Sequence, residues 1–163
     1  MTIEEKIELI KQNKDLDKFV NDKNPYIRSK VARQRYKLDK LINDKSPIVR
    51  LEVARQGYGL DILINDLNPN IRAAVAEQSY DLDKLINDKD WHVRYAVAEQ
   101  GYGLNILIND EDYRIRQEIA KQGYGLNILI NDSNLWIRKT VIKYCKEHID
   151  KEECKKILLL NNI

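Results

Sequence analysis

Three residues near the end of the sequence, Cys145, His148 and Cys154, carry side chains that commonly bind metals. Their C-x2-H-x5-C spacing matches no familiar zinc module, and a fourth ligand is not evident. We therefore expect them to pack within the end of the fold. His92 has no serine or cysteine patterned beside it, and the sequence contains neither a Gly-rich phosphate loop nor an H-E-x-x-H motif. The sequence thus predicts no enzyme and no metal or other cofactor.

Six Asp and six Arg residues recur at a fixed spacing that could supply acid and base groups or bind phosphate. Each Arg, however, directly follows a Val or Ile, at the flank of a predicted buried helix face. There the guanidinium can bridge the Asp of its own sequence repeat and that of the next. We expect a structural ladder. The pairs are Asp22 and Arg28, Asp44 and Arg50, Asp66 and Arg72, Asp88 and Arg94, Asp110 and Arg116, and Asp132 and Arg138.

These pairs belong to a 22-residue repeat that occurs six times without a gap, beginning at Leu16. Apolar residues at positions one, four and five predict a short helix, and those at positions twelve, sixteen and seventeen share one face of a second helix. Pro before several second helices and Gly after them are typical of helix ends. A single repeat cannot bury its apolar face alone, so the repeats must stack. We predict one all-α domain over residues 1–163, with end caps at 1–15 and 148–163 around repeats at 16–147.

The repeated pattern of Leu, a second apolar residue three positions later, Asp three further on, and then Arg resembles HEAT-like repeats. It is more similar to the leucine-rich variant (LRV) repeats of bacteria. The resemblance covers about four-fifths of the chain and implies an α-solenoid, a right-handed superhelix of paired helices in which the first helix is short or of 3₁₀ type. Some LRV proteins carry an iron–sulfur module, but two cysteines cannot supply its four thiolates. The 22-residue repeat is also shorter than is typical of either group.

Composition limits the environment and the partners. The 28 basic and 26 acidic residues nearly balance, so the molecule lacks the overall field of a general polyanion binder. The sequence shows neither a signal-peptide pattern nor an apolar run of about 18 residues, and we expect no membrane association. Two cysteines fit a reducing compartment, which favours a cytoplasmic protein. Abundant Lys, Asn and Ile indicate a low-GC bacterium or phage.

Positions that face outward and differ between repeats are free to bind a partner. On the second helix these are positions eleven, fourteen and eighteen, which the resemblance places on the concave side of the superhelix. Position eighteen reads Arg, Arg, Glu, Glu, Lys, Lys along the chain. The predicted partner-binding residues are Tyr26, Arg33, Ile48, Leu51, Arg55, Glu77, His92, Tyr95, Glu99, Arg114, Lys121, Trp136, Lys139 and Lys143.

This mixed pattern favours a protein partner of complementary charge, bound by an adaptor or inhibitor module. Nucleic acid is the alternative, because basic residues stand at both ends of the position-eighteen series, although phosphates would meet Glu77 and Glu99 at its centre. A third possibility is self-association through an imperfect end cap. We expect no small-molecule substrate.

Overall fold

The computed structural model describes residues 1–162, and these residues form 14 helices and no strand. The chain divides into two compact units, Met1–Asp81 and Leu82–Ile163. The all-helical class predicted from the sequence is confirmed. The handedness of the solenoid, the number of its structural repeats and the single-domain organisation stay predictions.

The first unit begins with one helix and continues with three pairs, each made of a four-residue helix and a nine-residue helix. The helices are α1 (Ile3–Lys11), α2 (Leu16–Phe19), α3 (Pro25–Arg33), α4 (Leu38–Leu41), α5 (Pro47–Arg55), α6 (Leu60–Leu63) and α7 (Pro69–Glu77). Within this unit α3 packs against α5 and α5 against α7, while each short helix packs against the longer one that follows it.

The second unit has three such pairs and ends with one additional helix. The helices are α8 (Leu82–Leu85), α9 (Trp91–Glu99), α10 (Leu104–Leu107), α11 (Tyr113–Lys121), α12 (Leu126–Leu129), α13 (Leu135–Glu147) and α14 (Glu152–Leu160). Here α9 packs against α11, and α11 against α13. The last longer helix, α13, has 13 residues and therefore extends by about one turn beyond the nine-residue helices.

The longer helices bury the positions predicted from the sequence. The residues at position twelve, from Ile27 to Ile137, are all 0% exposed, as are the Val or Ile residues at position sixteen. Asn, Ser or Asp at position nine precedes each of these helices, and the side chain of Asn24 accepts a hydrogen bond from the Tyr26 N–H at 2.9 Å. This contact satisfies a backbone donor that the helix itself leaves unpaired.

Turns between a longer helix and the next short helix contain two residues with positive φ. Glycines supply this conformation in three of these turns, as at Gly101 and Gly103. Arg35 and Lys37 adopt it with φ values of 59° and 49°, at a steric cost that glycine avoids. At Gly103 an added Cβ would lie 2.1 Å from Cδ1 of Ile86, so the end of that side chain would have to move.

One additional helix packs at the start of the first unit and another at the end of the second. Helix α1 packs against α2 and α3 and buries Ile10, whereas Ile3 is exposed. Helix α14 packs against α12 and α13 and buries Ile157 and Leu158. The longest described helix has 13 residues, and no helix among residues 1–162 has the length and hydropathy of a membrane span.

Candidate functional site

The repeated Arg and Asp residues form an ion-pair ladder in both units. In the first unit, Nε of Arg28 donates to Oδ2 of Asp44 at 2.6 Å, and Nη2 donates to Oδ1 at 2.7 Å. The remaining arm of the fork donates to the backbone carbonyl of Asp22 at 2.7 Å. The Arg therefore binds the carboxylate of the following repeat and the backbone of its own repeat. The same geometry joins Arg50 to Asp66, Arg94 to Asp110, and Arg116 to Asp132.

The ladder carboxylate of Asp44 is held in its charged form. Burial raises the pKa of Asp44, but hydrogen bonds from Arg28 and from the Ser46 N–H outweigh it, and the net pKa lies below the usual range. Hydrogen bonding to Asp44 in turn raises the pKa of Arg28. Groups so firmly charged and paired are poorly suited to exchange protons with a substrate. We interpret this row as structural.

Different partners occupy the two ends of the ladder. In the first unit, Lys6 of α1 takes the place of a preceding Arg and lies 2.5 Å from the Asp22 carboxylate. In the second unit, Arg138 donates to the carbonyls of Asp132 and Ser133 at 2.6 and 3.0 Å. Among residues 1–162, no carboxylate pairs with Arg138.

In the first unit, the predicted binding residues at positions eleven and eighteen are exposed. Tyr26 and Ile48 have 44% and 42% of their surface exposed, and Arg33, Arg55 and Glu77 are exposed as well. Position fourteen differs. At this position Leu51 is half-buried. Ser29, at the same position, is buried, and its hydroxyl donates to the Tyr26 carbonyl. The prediction that position fourteen faces outward is therefore wrong for Ser29.

A buried carboxylate, Glu52, pairs with Arg33 and Arg55 and offsets one of their two positive charges. Its Oε1 lies 2.7 Å from Nη2 of Arg33 and 3.4 Å from Nη1 of Arg55. Burial raises the pKa of Glu52, but the hydrogen bond and the charge of Arg33 outweigh it and hold the pKa below the usual range. The basic end of the position-eighteen pattern is thus less positive than its two arginines suggest.

In the second unit, α9 and α11 are joined by a cluster of aromatic and charged groups. The guanidinium carbon of Arg114 lies 3.3 Å from the Trp91 ring centroid, and Asp112 holds this guanidinium with an ion pair of 2.6 Å. The His92 ring stacks on Trp91 at a centroid distance of 3.7 Å. Arg114 and His92, both predicted to bind a partner, are therefore fixed by contacts within the unit.

Tyr95, another predicted residue, is half-buried in the same cluster, and its hydroxyl donates to Glu118 at 3.1 Å. Burial, together with the carboxylates of Glu118 and Glu99, raises the pKa of Tyr95 to about 12. Glu118 also accepts a hydrogen bond from Lys121 at 2.9 Å. Lys121 and Glu99 are exposed at position eighteen.

Helix α13 carries the remaining predicted residues, and all three are exposed. Trp136 has 64% of its surface exposed, more than any other aromatic side chain among the described residues. The Lys139 ammonium lies 4.9 Å from the Trp136 ring centroid. Among residues 1–162, the Lys143 ammonium has one carboxylate contact, a long one of 3.9 Å with Glu147.

The cysteines and His148 do not form a ligand set. Cys145 and Cys154 are both fully buried, and burial together with the neighbouring Cys154 raises the pKa of Cys145 to about 12. The His148 ring instead stacks on Tyr144 at 4.0 Å, and its Nδ1 lies 2.9 Å from the Tyr144 carbonyl oxygen. Within residues 1–162, no three His, Cys, Asp or Glu side chains are grouped so that they could hold a metal ion.

The carboxylates at position fifteen, Glu52 and Glu118, were not among the residues predicted from the sequence. A usable signal was present, because each is followed three residues later by a basic residue on the same helix face. Glu52 also follows Arg33 by 19 residues, three fewer than a full repeat, which places the two on adjacent longer helices.

Comparison with known proteins adds no assignment. No protein-family model matches the chain, and no curated protein matches it.

Proposed function

We propose that the protein is a non-enzymatic module that binds another protein through the exposed side of its longer helices, which is the concave face of the proposed superhelix. The proposal includes the right-handed solenoid of six two-helix repeats that the LRV resemblance implies. The observation that carries it is the contrast between buried and exposed positions. The buried positions hold nearly the same residues in every repeat, whereas position eleven differs in each repeat and position eighteen changes from Arg to Glu to Lys along the chain.

Large apolar side chains stand among these varied positions. Tyr26, Ile48 and Trp136 are all more than two-fifths exposed, and each lies on a longer helix with charged residues nearby. Aromatic and large aliphatic groups with a charged rim are typical of energetically important positions in protein interfaces. Their exposure supports a binding role for these faces.

Affinity capture from a bacterial lysate, with and without nuclease, tests the proposal. The chain is compared with a Tyr26→Ala, Ile48→Ala, Trp136→Ala variant, whose changes lie on exposed side chains and should leave the core intact. Leu67→Ala is the matched control, because Leu67 is 96% exposed but lies outside the longer helices.

We expect a nuclease-resistant protein that is retained by wild type and by the Leu67 control but lost by the triple variant. That protein is then purified and titrated against all three chains by calorimetry. Failure of wild type to retain any protein, or equal affinity for the triple variant, would contradict the proposal.

Nucleic acid remains a second candidate because of α13, where exposed Trp136 stands beside Lys139 and Lys143. A stacking aromatic ring flanked by cations is typical of single-strand binding. Capture that disappears with nuclease, together with a gel shift of oligonucleotides at low salt, would favour this function over the first.

A further inference from the structure

The exposed side of α13 differs from the other longer helices in its density of cations. Trp136, Lys139, Lys143 and Lys146 are all exposed, and their spacing places them within about 80° of one another around the helix. The buried residues of α13, Ile137, Val141 and Cys145, lie on the other side. We refer to these four exposed residues as the α13 face.

The lysines of the α13 face are weakly paired within the molecule. Lys143 approaches Glu147 only at 3.9 Å, and Lys139 contacts the Trp136 ring. Over residues 1–162, no hydrogen bond or ion pair reaches the Lys146 ammonium. By contrast, Arg114 and Lys121 on the neighbouring α11 are paired with carboxylates at 2.6 and 2.9 Å. The α13 face therefore keeps most of its positive charge available.

A shallow depression with an apolar floor lies beside these lysines. It has a volume of about 280 Å³ and is lined by Lys139, Ile142, Lys143, Lys146 and Glu147. Ile142 stands at position seventeen, where every other repeat has Ala, and it is half-buried. The volume is below the usual range for small-molecule sites and suits a single apolar side chain.

The small extent of the positive charge favours an acidic protein segment over nucleic acid as the ligand of the α13 face. Trp136 and Lys146 are ten residues apart, which corresponds to about 15 Å along the helix. Glu118 and Asp112 neutralise the cations of α11, and Glu99 is exposed on α9 in the same unit. A long polyanion gains affinity from many phosphate contacts, and the α13 face offers only three lysines. A short acidic segment with one apolar residue matches both its length and its depression.

We propose that the α13 face binds an acidic segment of a partner protein, with carboxylates against the lysines and an apolar side chain against Ile142. This inference rests on the proposed function and specifies the partner chemistry at one part of the surface. Complementary charge of this kind accelerates association and makes binding sensitive to salt.

Fluorescence anisotropy of the full chain with three labelled probes tests the inference. The first probe is a synthetic 12-residue peptide with six Asp or Glu residues and one central Leu. The second is the same peptide with Asn and Gln in place of the acids, and the third is a 12-nucleotide oligo-dT. One protein variant, the α13 variant, combines Lys139→Gln, Lys143→Gln and Lys146→Gln. The control variant has the same change in charge and combines Lys23→Gln, Lys45→Gln and Lys89→Gln. The control lysines are exposed and lie in the turns before other longer helices.

We expect the acidic peptide to bind at least about tenfold more tightly than the amide peptide at low salt, and to weaken as salt increases. The α13 variant should lose about tenfold in affinity, while the control changes less than about threefold. Equal binding of the acidic and amide peptides, absence of binding, or tighter binding of oligo-dT through the same lysines would overturn the inference. If protein capture by the exposed faces persists in the α13 variant while the peptide fails to bind, only this inference is wrong. If capture itself requires nucleic acid, the proposed function is wrong as well.

Discussion

Replacing Arg28 with Ala should destabilise the protein by about 3 kcal/mol. The change removes the forked pair with Asp44, in which both side chains are only 8% exposed, and the hydrogen bond to the Asp22 carbonyl. It leaves the Asp44 carboxylate with the Ser46 N–H as its remaining close donor. Breaking a buried pair by removing one partner costs about 3–5 kcal/mol, and partial access to solvent places Asp44 at the lower end.

Urea unfolding followed by circular dichroism at 222 nm measures the effect. With a slope of about 2 kcal/mol per molar urea, a loss of about 3 kcal/mol lowers the unfolding midpoint by about 1.5 M. Arg138→Ala is the matched control, because Arg138 occupies the same repeat position but contacts only backbone carbonyls. Its loss should cost about 1–2 kcal/mol.

A second change distinguishes loss of the pair from loss of arginine packing. The double variant Arg28→Ala, Asp44→Asn keeps an oxygen that accepts the Ser46 N–H but removes the unpaired charge. It should therefore recover part of the stability lost by Arg28→Ala alone. If Arg28→Ala and Arg138→Ala lower the midpoint equally, or if the double variant is less stable than Arg28→Ala alone, the ladder does not stabilise the protein by charge pairing.

Three further predictions concern a turn between helices, the pH dependence of the Arg28–Asp44 pair, and a buried thiol. Gly103→Ala should destabilise the protein by about 1–2 kcal/mol, because Ala must take a positive φ and the end of the Ile86 side chain must move. Gly101→Ala has a similar φ, but an added Cβ has space there, so it should cost about 1 kcal/mol. Urea midpoints compare the two variants. The pKa of Asp44 is lower in the folded protein than in the unfolded chain. Its contribution to stability is therefore present above about pH 4 and is lost as the pH falls through the folded pKa. The urea midpoint of wild type should fall more between about pH 5 and about pH 3 than that of Arg28→Ala. Burial and a pKa of about 12 should keep Cys145 unreactive toward iodoacetamide at pH 8 until urea unfolds the chain, as followed by mass spectrometry; rapid labelling of the folded protein would show that the thiol is accessible.

The core and the helix boundaries could be predicted from the sequence because they depend on local rules that repeat. Apolar periodicity located the buried faces, and Pro and Gly located helix ends. The carboxylate partner of each ladder Arg could not be chosen from the sequence. The sequence places one Asp six residues before each of these arginines and another 16 residues after it, and it does not favour either as the partner. In the structure the guanidinium of Arg28 pairs with the carboxylate of the later residue, Asp44, and donates to the backbone carbonyl of Asp22.

The exposure of individual surface residues was harder to predict, because it depends on the length of side chains on the adjacent helix. Position fourteen lies close enough to the next longer helix for Tyr95 to reach Glu118 and become half-buried. The short Ser29 at the same position folds back onto its own helix and is buried. A helical wheel assigns the same angle to both residues and contains no information about the side chains on the adjacent helix.

The carboxylates at position fifteen determine which cations at position eighteen remain available to a partner. Glu52 neutralises Arg33 from the next longer helix, and Glu118 neutralises Lys121 from within its own helix. Helix α13 has Thr at position fifteen, so Lys143 has no such carboxylate and makes only the long contact with Glu147. A count of charges at position eighteen treats the arginines and lysines as equivalent. Their pairing differs, because Arg33 and Lys121 lie 2.7 and 2.9 Å from a carboxylate oxygen whereas Lys143 lies 3.9 Å from one. Placing Glu at position fifteen of α13 by Thr140→Glu should supply the missing carboxylate, and we expect it to weaken binding of the acidic peptide without any change to the lysines.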